Sequence, residues 1–171
     1  MLVPAHARTV LVIDDEDAIR DVVRMFLHDE GYAVLEAPNG VVGLNLLRAS
    51  SAPLVVLLDL MMPRMGGLEV LRALAAEPEI ASRHAVIICS ATRAFYPADL
   101  NFVLPGKRLL DLPKPFDLDD LLAVVEQAAQ QLGRDSERDD SEDDTNKVPV
   151  AEPAQTPDHD GAEGGGSGEA T

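Results

Sequence analysis

Side chains able to do chemistry stand at the ends of four apolar runs. "TVLVI" is followed by Asp14 and Asp15, "PLVVLL" by Asp59, "HAVIIC" by Ser90 and "RLLDLP" by Lys114. Asp59 is the hardest to explain as plain structure, because Leu54, Val55, Val56, Leu57, Leu58 and Leu60 surround it. A carboxylate leaves water at a cost of several kcal/mol unless something compensates it. Three carboxylates brought to one place repel one another and raise at least one pKa. Two cations resolve this. A hard divalent ion such as Mg2+ takes carboxylates and a backbone carbonyl while keeping several waters. The ammonium of Lys114 adds a compact charge with three donors. With both present, Asp59 can act as a nucleophile toward a phosphoryl group, a transfer that needs positioning and charge neutralisation above all. The Ser90 hydroxyl can donate to a phosphoryl oxygen, and Ala91 leaves room beside it.

These residues meet only if the segments between them fold suitably. Short apolar or β-branched runs read as strands over residues 9–15, 32–37, 53–59, 84–91 and 107–115. Between them lie helical patterns over 16–31, 38–50 and 67–77, and a closing amphipathic helix over 117–133. In the first helix Ile19, Val22, Val23, Phe26 and Leu27 face inward, with Gly31 as C-cap. In the second, Val42, Leu46, Leu47 and Gly43 do so, and Asp117 is placed to cap the last helix. Pro97 opens a short helix to about Leu104. Five strands alternating with helices predict an α/β fold: a doubly wound, five-stranded parallel sheet with helices on both faces. Ligands of such sheets bind at the carboxyl ends of the strands, where the acids, Ser90 and Lys114 stand.

Charge is unevenly spread along the 171 residues. Residues 1–133 hold 18 Asp and Glu against 11 Lys and Arg, a net of −7, whereas residues 134–171 hold 12 against 3, a net of −9. The latter segment has no Leu, Ile, Phe or other aromatic residue, and it cannot bury enough apolar surface to offset its ordering entropy. The expected organisation is therefore a disordered start over 1–7, one domain over 8–132 and a disordered acidic tail over 133–171. Acidic balance argues against nucleic-acid or anionic-membrane partners. A single cysteine, Cys89, and the lack of a long apolar run fit a reducing cytoplasm. Arg- and Ala-rich, Lys-poor usage points to a bacterium.

"VLVIDDE", "VLLDLMMPRMGG", "IICSA" and "LPKPF", in that order over residues 8–132, resemble the successive motifs of response regulator receiver domains of two-component signalling. The resemblance implies a flavodoxin-like three-layer sandwich. It implies Asp59 as phosphoacceptor, and Asp14 and Asp15 as the acidic pair, Asp15 binding Mg2+ directly and Asp14 through water. It gives Met61 the metal-binding backbone carbonyl, Ser90 the switch hydroxyl, and Lys114 the family's lysine, with a cis Lys114–Pro115 bond. The implied partners are a sensor histidine kinase or histidine phosphotransfer protein and an unknown downstream protein. Where receivers place Tyr, Phe or His three residues before the lysine, this chain has Asp111; Phe95 or Tyr96 is a stand-in for the missing aromatic. The segment 92–108 departs from the family as well.

Blander readings exist for each residue alone. Asp14 and Asp15 suit an acidic turn or helix cap, Lys114 a surface lysine, and Ser90 a local backbone bond. Cys89 reads as core, His28 as a solvated helix residue, and Met61, Met62 and Met65 as turn and packing residues. Joint occurrence favours a stand-alone phosphorylatable, non-enzymatic receiver signalling through protein contacts, with no effector domain in residues 133–171. The alternative is a degenerate receiver acting as a phosphorylation-independent interaction module. A phosphohydrolase would want a second carboxylate two residues after its nucleophile, where Met61 stands.

Overall fold

A computed structural model describes residues 8–91 and 109–142, the last nine of them as helix path without side chains. In chain order the elements are β1 (Thr9–Ile13), α1 (Asp17–Asp29), β2 (Ala33–Ala37), α2 (Gly40–Ala49), β3 (Val55–Asp59), α3 (Gly67–Ala75), α4 (Pro78–Arg83), β4 (Ala85–Ser90), β5 (Leu110–Pro113) and α5 (Leu118–Glu142). The strands form one parallel sheet in the order β2-β1-β3-β4-β5. The order reverses beside β1, the arrangement that opens a crevice at the strands' carboxyl ends.

The period-two alternation of strands divides the core into two layers. Val10 and Val12, Val55 and Leu57, Ala85, Ile87 and Cys89, and Leu110 and Leu112 pack with Val23 and Leu27 of α1 and Leu121, Val125 and Ala129 of α5. The intervening Leu11, Ile13, Val56, Leu58, Val86 and Ile88 pack with Leu44 and Leu47 of α2, Val70, Leu71 and Leu74 of α3 and Ala81 of α4. Asp14, Asp59 and Lys114 continue the count of the first set on their strands. A one-residue slip in any register would send that side chain to the opposite layer.

Caps fix the helices where the sequence places them. Asp117 Oδ1 accepts from Asp120 N at 2.8 Å, and Asn39 Oδ1 accepts from Val42 N at 3.0 Å. Gly31, just past α1, has φ +85°, the left-handed conformation that glycine takes without strain.

Three expectations need correction. Val22 is 53% exposed and Val42 38%, so neither faces inward; Leu44 is the buried residue of α2 that the reading missed. Helix α4 is additional, announced by Pro78 at its first position and Glu79 in its first turn. Helix α5 continues nine residues past Gly133, where the amphipathic pattern ends, because a helix already nucleated adds one hydrogen bond per residue. The turn after Asp59 needs no glycine for unusual backbone angles: Gly66 has φ −77°, and it is Arg64 that adopts φ 73°. The residues at 1–7, 92–108 and 143–171, which include the helix placed at 97–104, Phe95 and Tyr96, lie outside the described residues.

Candidate functional site

Asp14, Asp15 and Asp59 each offer a carboxylate oxygen within 4.8 Å of the other two. Asp14 and Asp59 are 3% and 6% exposed, whereas Asp15 opens to solvent. The Lys114 ammonium donates to both buried acids, at 2.6 Å to Asp14 Oδ2 and 3.1 Å to Asp59 Oδ2. Their second oxygens accept backbone N–H groups two residues on: Glu16 N donates to Asp14 Oδ1 at 2.9 Å and Met61 N to Asp59 Oδ1 at 3.0 Å. Both carboxylates are thereby aimed, which is why the chain turns sharply after each strand.

Glycine makes the second turn possible by its size. A Cβ on Gly67 would lie 2.4 Å from the Asp59 carbonyl oxygen and 2.5 Å from Leu60 Cδ2. Gly67 N donates to the Leu60 carbonyl at 3.2 Å, and Glu69 Oε2 accepts from Gly66 N at 2.8 Å, so the start of α3 folds back onto the end of β3.

Ser90 is buried at the end of β4, one residue past Cys89, the register partner of Asp59. Its carbonyl accepts from Lys114 N at 2.9 Å, which ties the lysine to that strand. The Lys114–Pro115 bond is cis, as the resemblance implies. Met61 is 67% exposed, directly after the turn. Asp111 lies exposed on β5 opposite Ile88, on the strand positions alternate to Leu110 and Leu112, so it does not share the layer of Asp59 and Lys114.

Burial raises the Asp59 pKa, and this outweighs the Met61 N–H and the Lys114 charge that oppose it; neighbouring Asp14 raises it further. Lys114 is pushed down by burial but held above its ordinary value by its bonds and charge attraction to Asp14 and Asp59. Burial lifts the Cys89 thiol to about 12, so it is an unreactive core residue.

The donor set fits a hard divalent cation: it is all oxygen, carries three carboxylates against one ammonium, and leaves its third acid facing solvent. Beside it runs a groove of about 950 Å3, lined by Ile19, Val22, Ala91, Lys114, Phe116 and Leu118 among others.

Residues 10–126 match the family model described as "Response regulator receiver domain". The chain belongs to the response regulator receiver domain family. This receiver is 35% identical over 128 residues to the uncharacterized transcriptional regulatory protein YkoG of Bacillus subtilis, covering 75% of this chain and 54% of YkoG. To the response regulator MprA of a Mycobacterium species (strain KMS) it is 36% identical over 114 residues, 67% of this chain and 47% of MprA. The receiver thus spans about half the length of the curated relatives it matches. Such names as YkoG's give no support to the exclusion of nucleic acid read from the charge. Among solved structures, a CheY-like receiver domain protein from Methanospirillum hungatei superposes with TM-score 0.62 at 28% identity, covering 75% of this chain and 97% of that one. The response regulator TrrA of Thermotoga maritima, solved in complex with Mg(2+)-BeF, gives 0.59 at 28% identity, over 71% and 98%. No helix among the described residues is long and apolar enough to cross a membrane.

Two features escaped the sequence reading. His84, 1% exposed, accepts from Leu54 N at Nδ1 (3.2 Å), while its Nε2 lies 3.3 Å from the Leu47 carbonyl, the geometry of a neutral ring donating through Nε2. It joins α2, β3 and α4 away from the acidic cluster. Arg20 reaches the Asp14 carbonyl from α1. Nothing in the spacing marks either one, since each depends on segments brought together by folding.

Proposed function

We propose that this receiver is phosphorylated on Asp59 by a histidine kinase or histidine phosphotransfer protein and answers by changing its contacts with a protein partner. The observation that supports this most is the Lys114 ammonium seated between Asp14 and Asp59 across one strand edge.

An Asp59 carboxylate oxygen attacks the donor's phosphorus; the new O–P bond forms as the donor's N–P or O–P bond breaks, and the departing group takes the electron pair. Met61 N–H fixes one Asp59 oxygen, which leaves the other to react once Lys114 turns its donors to the incoming phosphoryl oxygens. Ser90 donates its hydroxyl to a second phosphoryl oxygen. Asp15, Asp14, Asp59 and the Met61 carbonyl would hold Mg2+. When bound, that ion supplies the positive charge that offsets the phosphoryl oxygens. The apolar groove beside Lys114 receives the donor protein, with exposed Val22 and Leu118 at its rim.

The test is intact mass after incubation with Mg2+ and acetyl phosphate. A gain of one phosphoryl group, absent in Asp59→Asn, is expected. No gain under conditions that label other receivers would favour the phosphorylation-independent module, which the exposed Asp111 in place of an aromatic residue recommends.

A further inference from the structure

Arg20 stands outside the acidic cluster but is bonded to its frame. Its side chain is 12% exposed. Nη1 donates to the Asp14 backbone carbonyl at 2.7 Å, Nη2 donates to the Asp17 carboxylate, and Nε lies 3.6 Å from Glu36 Oε1. One guanidinium therefore joins the end of β1, the first turn of α1 and the neighbouring strand β2.

The Asp14 carbonyl requires such a partner. Asp14 N closes the ladder onto the Ala37 carbonyl at 3.1 Å, but the chain leaves the sheet at the next residue. Buried backbone carbonyls are almost always paired, and a charged donor gives the stronger, shorter bond. Fixing this carbonyl fixes the plane of the peptide between Asp14 and Asp15. That matters for Asp15: among the described residues no hydrogen bond or ion pair holds its carboxylate, so backbone alone sets where it points.

We propose that Arg20 is a positioning residue of the acidic site, holding the Asp14–Asp15 peptide so that the carboxylates on either side meet a divalent cation in one geometry. The proposal rests on the reading of the cluster as a Mg2+-assisted phosphoacceptor site. The ion pairs of Arg20 do not explain its placement equally well, because Asp17 is 87% exposed and exposed pairs stabilise little.

Isothermal titration of the full chain with Mg2+ tests it. The chain has no Trp, so heat of binding serves in place of indole fluorescence. Arg20→Ala should weaken Mg2+ binding about tenfold, the lower range for loss of a partner that orients metal ligands. Arg20→Lys should restore most of the affinity, since an ammonium can donate to the same carbonyl. The double variant Asp17→Asn with Glu36→Gln should bind as wild type does, because it removes the ion pairs and leaves the carbonyl bond. If Arg20→Ala does not fold, Arg20→Met keeps the packed stem and is read instead. Wild-type affinity in the Ala or Met variant overturns the role of Arg20 alone. A wild-type chain that takes up no Mg2+ overturns the reading of the site, and the proposal with it.

Discussion

Lys114 Nζ lies 2.6 Å from Asp14 Oδ2, a pairing made across 100 residues of chain. The same nitrogen reaches Asp59 at 3.1 Å, so one cation serves two buried carboxylates. Removing one partner of a buried pair leaves an uncompensated charge, at a cost of about 3 kcal/mol. Lys114→Met should lower stability by that order in urea unfolding at neutral pH. Adding Asp59→Asn should recover part of the loss, because the two residues share one network. Lys114 titrates above its ordinary value in the fold, so its contribution is present at neutral pH and is lost as pH rises through that raised value.

At Asp59 the fold disfavours the charged form instead. Its folded pKa is raised, so the fold holds this proton more tightly than the unfolded chain and loses stability as pH climbs through the interval above the ordinary carboxylate value. Asp59→Asn is expected to melt a few degrees above wild type at neutral pH without Mg2+. The gap should narrow as pH falls toward about 3.9. Differential scanning calorimetry over that range checks the direction; a lower Tm for the Asn variant at neutral pH contradicts it.

Asp15 separates metal binding from folding. It is exposed, so Asp15→Asn should change metal-free stability by no more than about 0.5 kcal/mol. Mg2+ raises Tm only to the extent that the folded state binds it, so the rise expected of wild type should be largely lost. Thermal melts with and without Mg2+ read both quantities.

Gly67→Ala places a methyl group 2.4 Å from the Asp59 carbonyl oxygen, where backbone must shift. A loss of about 2 kcal/mol is expected, together with slower phosphoryl uptake from acetyl phosphate, since the displaced atom belongs to the proposed phosphoacceptor. An equally stable variant with unchanged uptake would show that this turn does not position Asp59.

His84→Leu should lower stability without touching uptake. It leaves Leu54 N–H and the Leu47 carbonyl, both bonded through the ring, without partners, at about 2–4 kcal/mol for the two. Uptake by the molecules that remain folded should match wild type, as measured by intact mass at a temperature well below the melt.

Much of this molecule was legible from residue order because strands and chemistry coincide. Apolar runs of five or six residues ending in Asp14, Asp59, Ser90 and Lys114 specify both the parallel sheet and the edge on which the site lies. Inward faces were harder. A helix periodicity leaves the edge of the buried face open, and Val42 for Leu44, on either side of buried Gly43, is that error. Helix α4 was missed because six residues are too few to show a period. The roles of Gly67, His84 and Arg20 depend on atoms far apart in sequence or on sub-ångström clearance. Composition carries no trace of either.

Mapping the labelled residue tests the central claim most directly. Borohydride treatment of the acetyl phosphate-labelled chain reduces an aspartyl phosphate to homoserine, which peptide mass spectrometry then places. Homoserine at position 59, dependent on Mg2+, is the predicted result. Label at Asp14, Asp15 or any His, with position 59 recovered as unmodified Asp, would contradict the account.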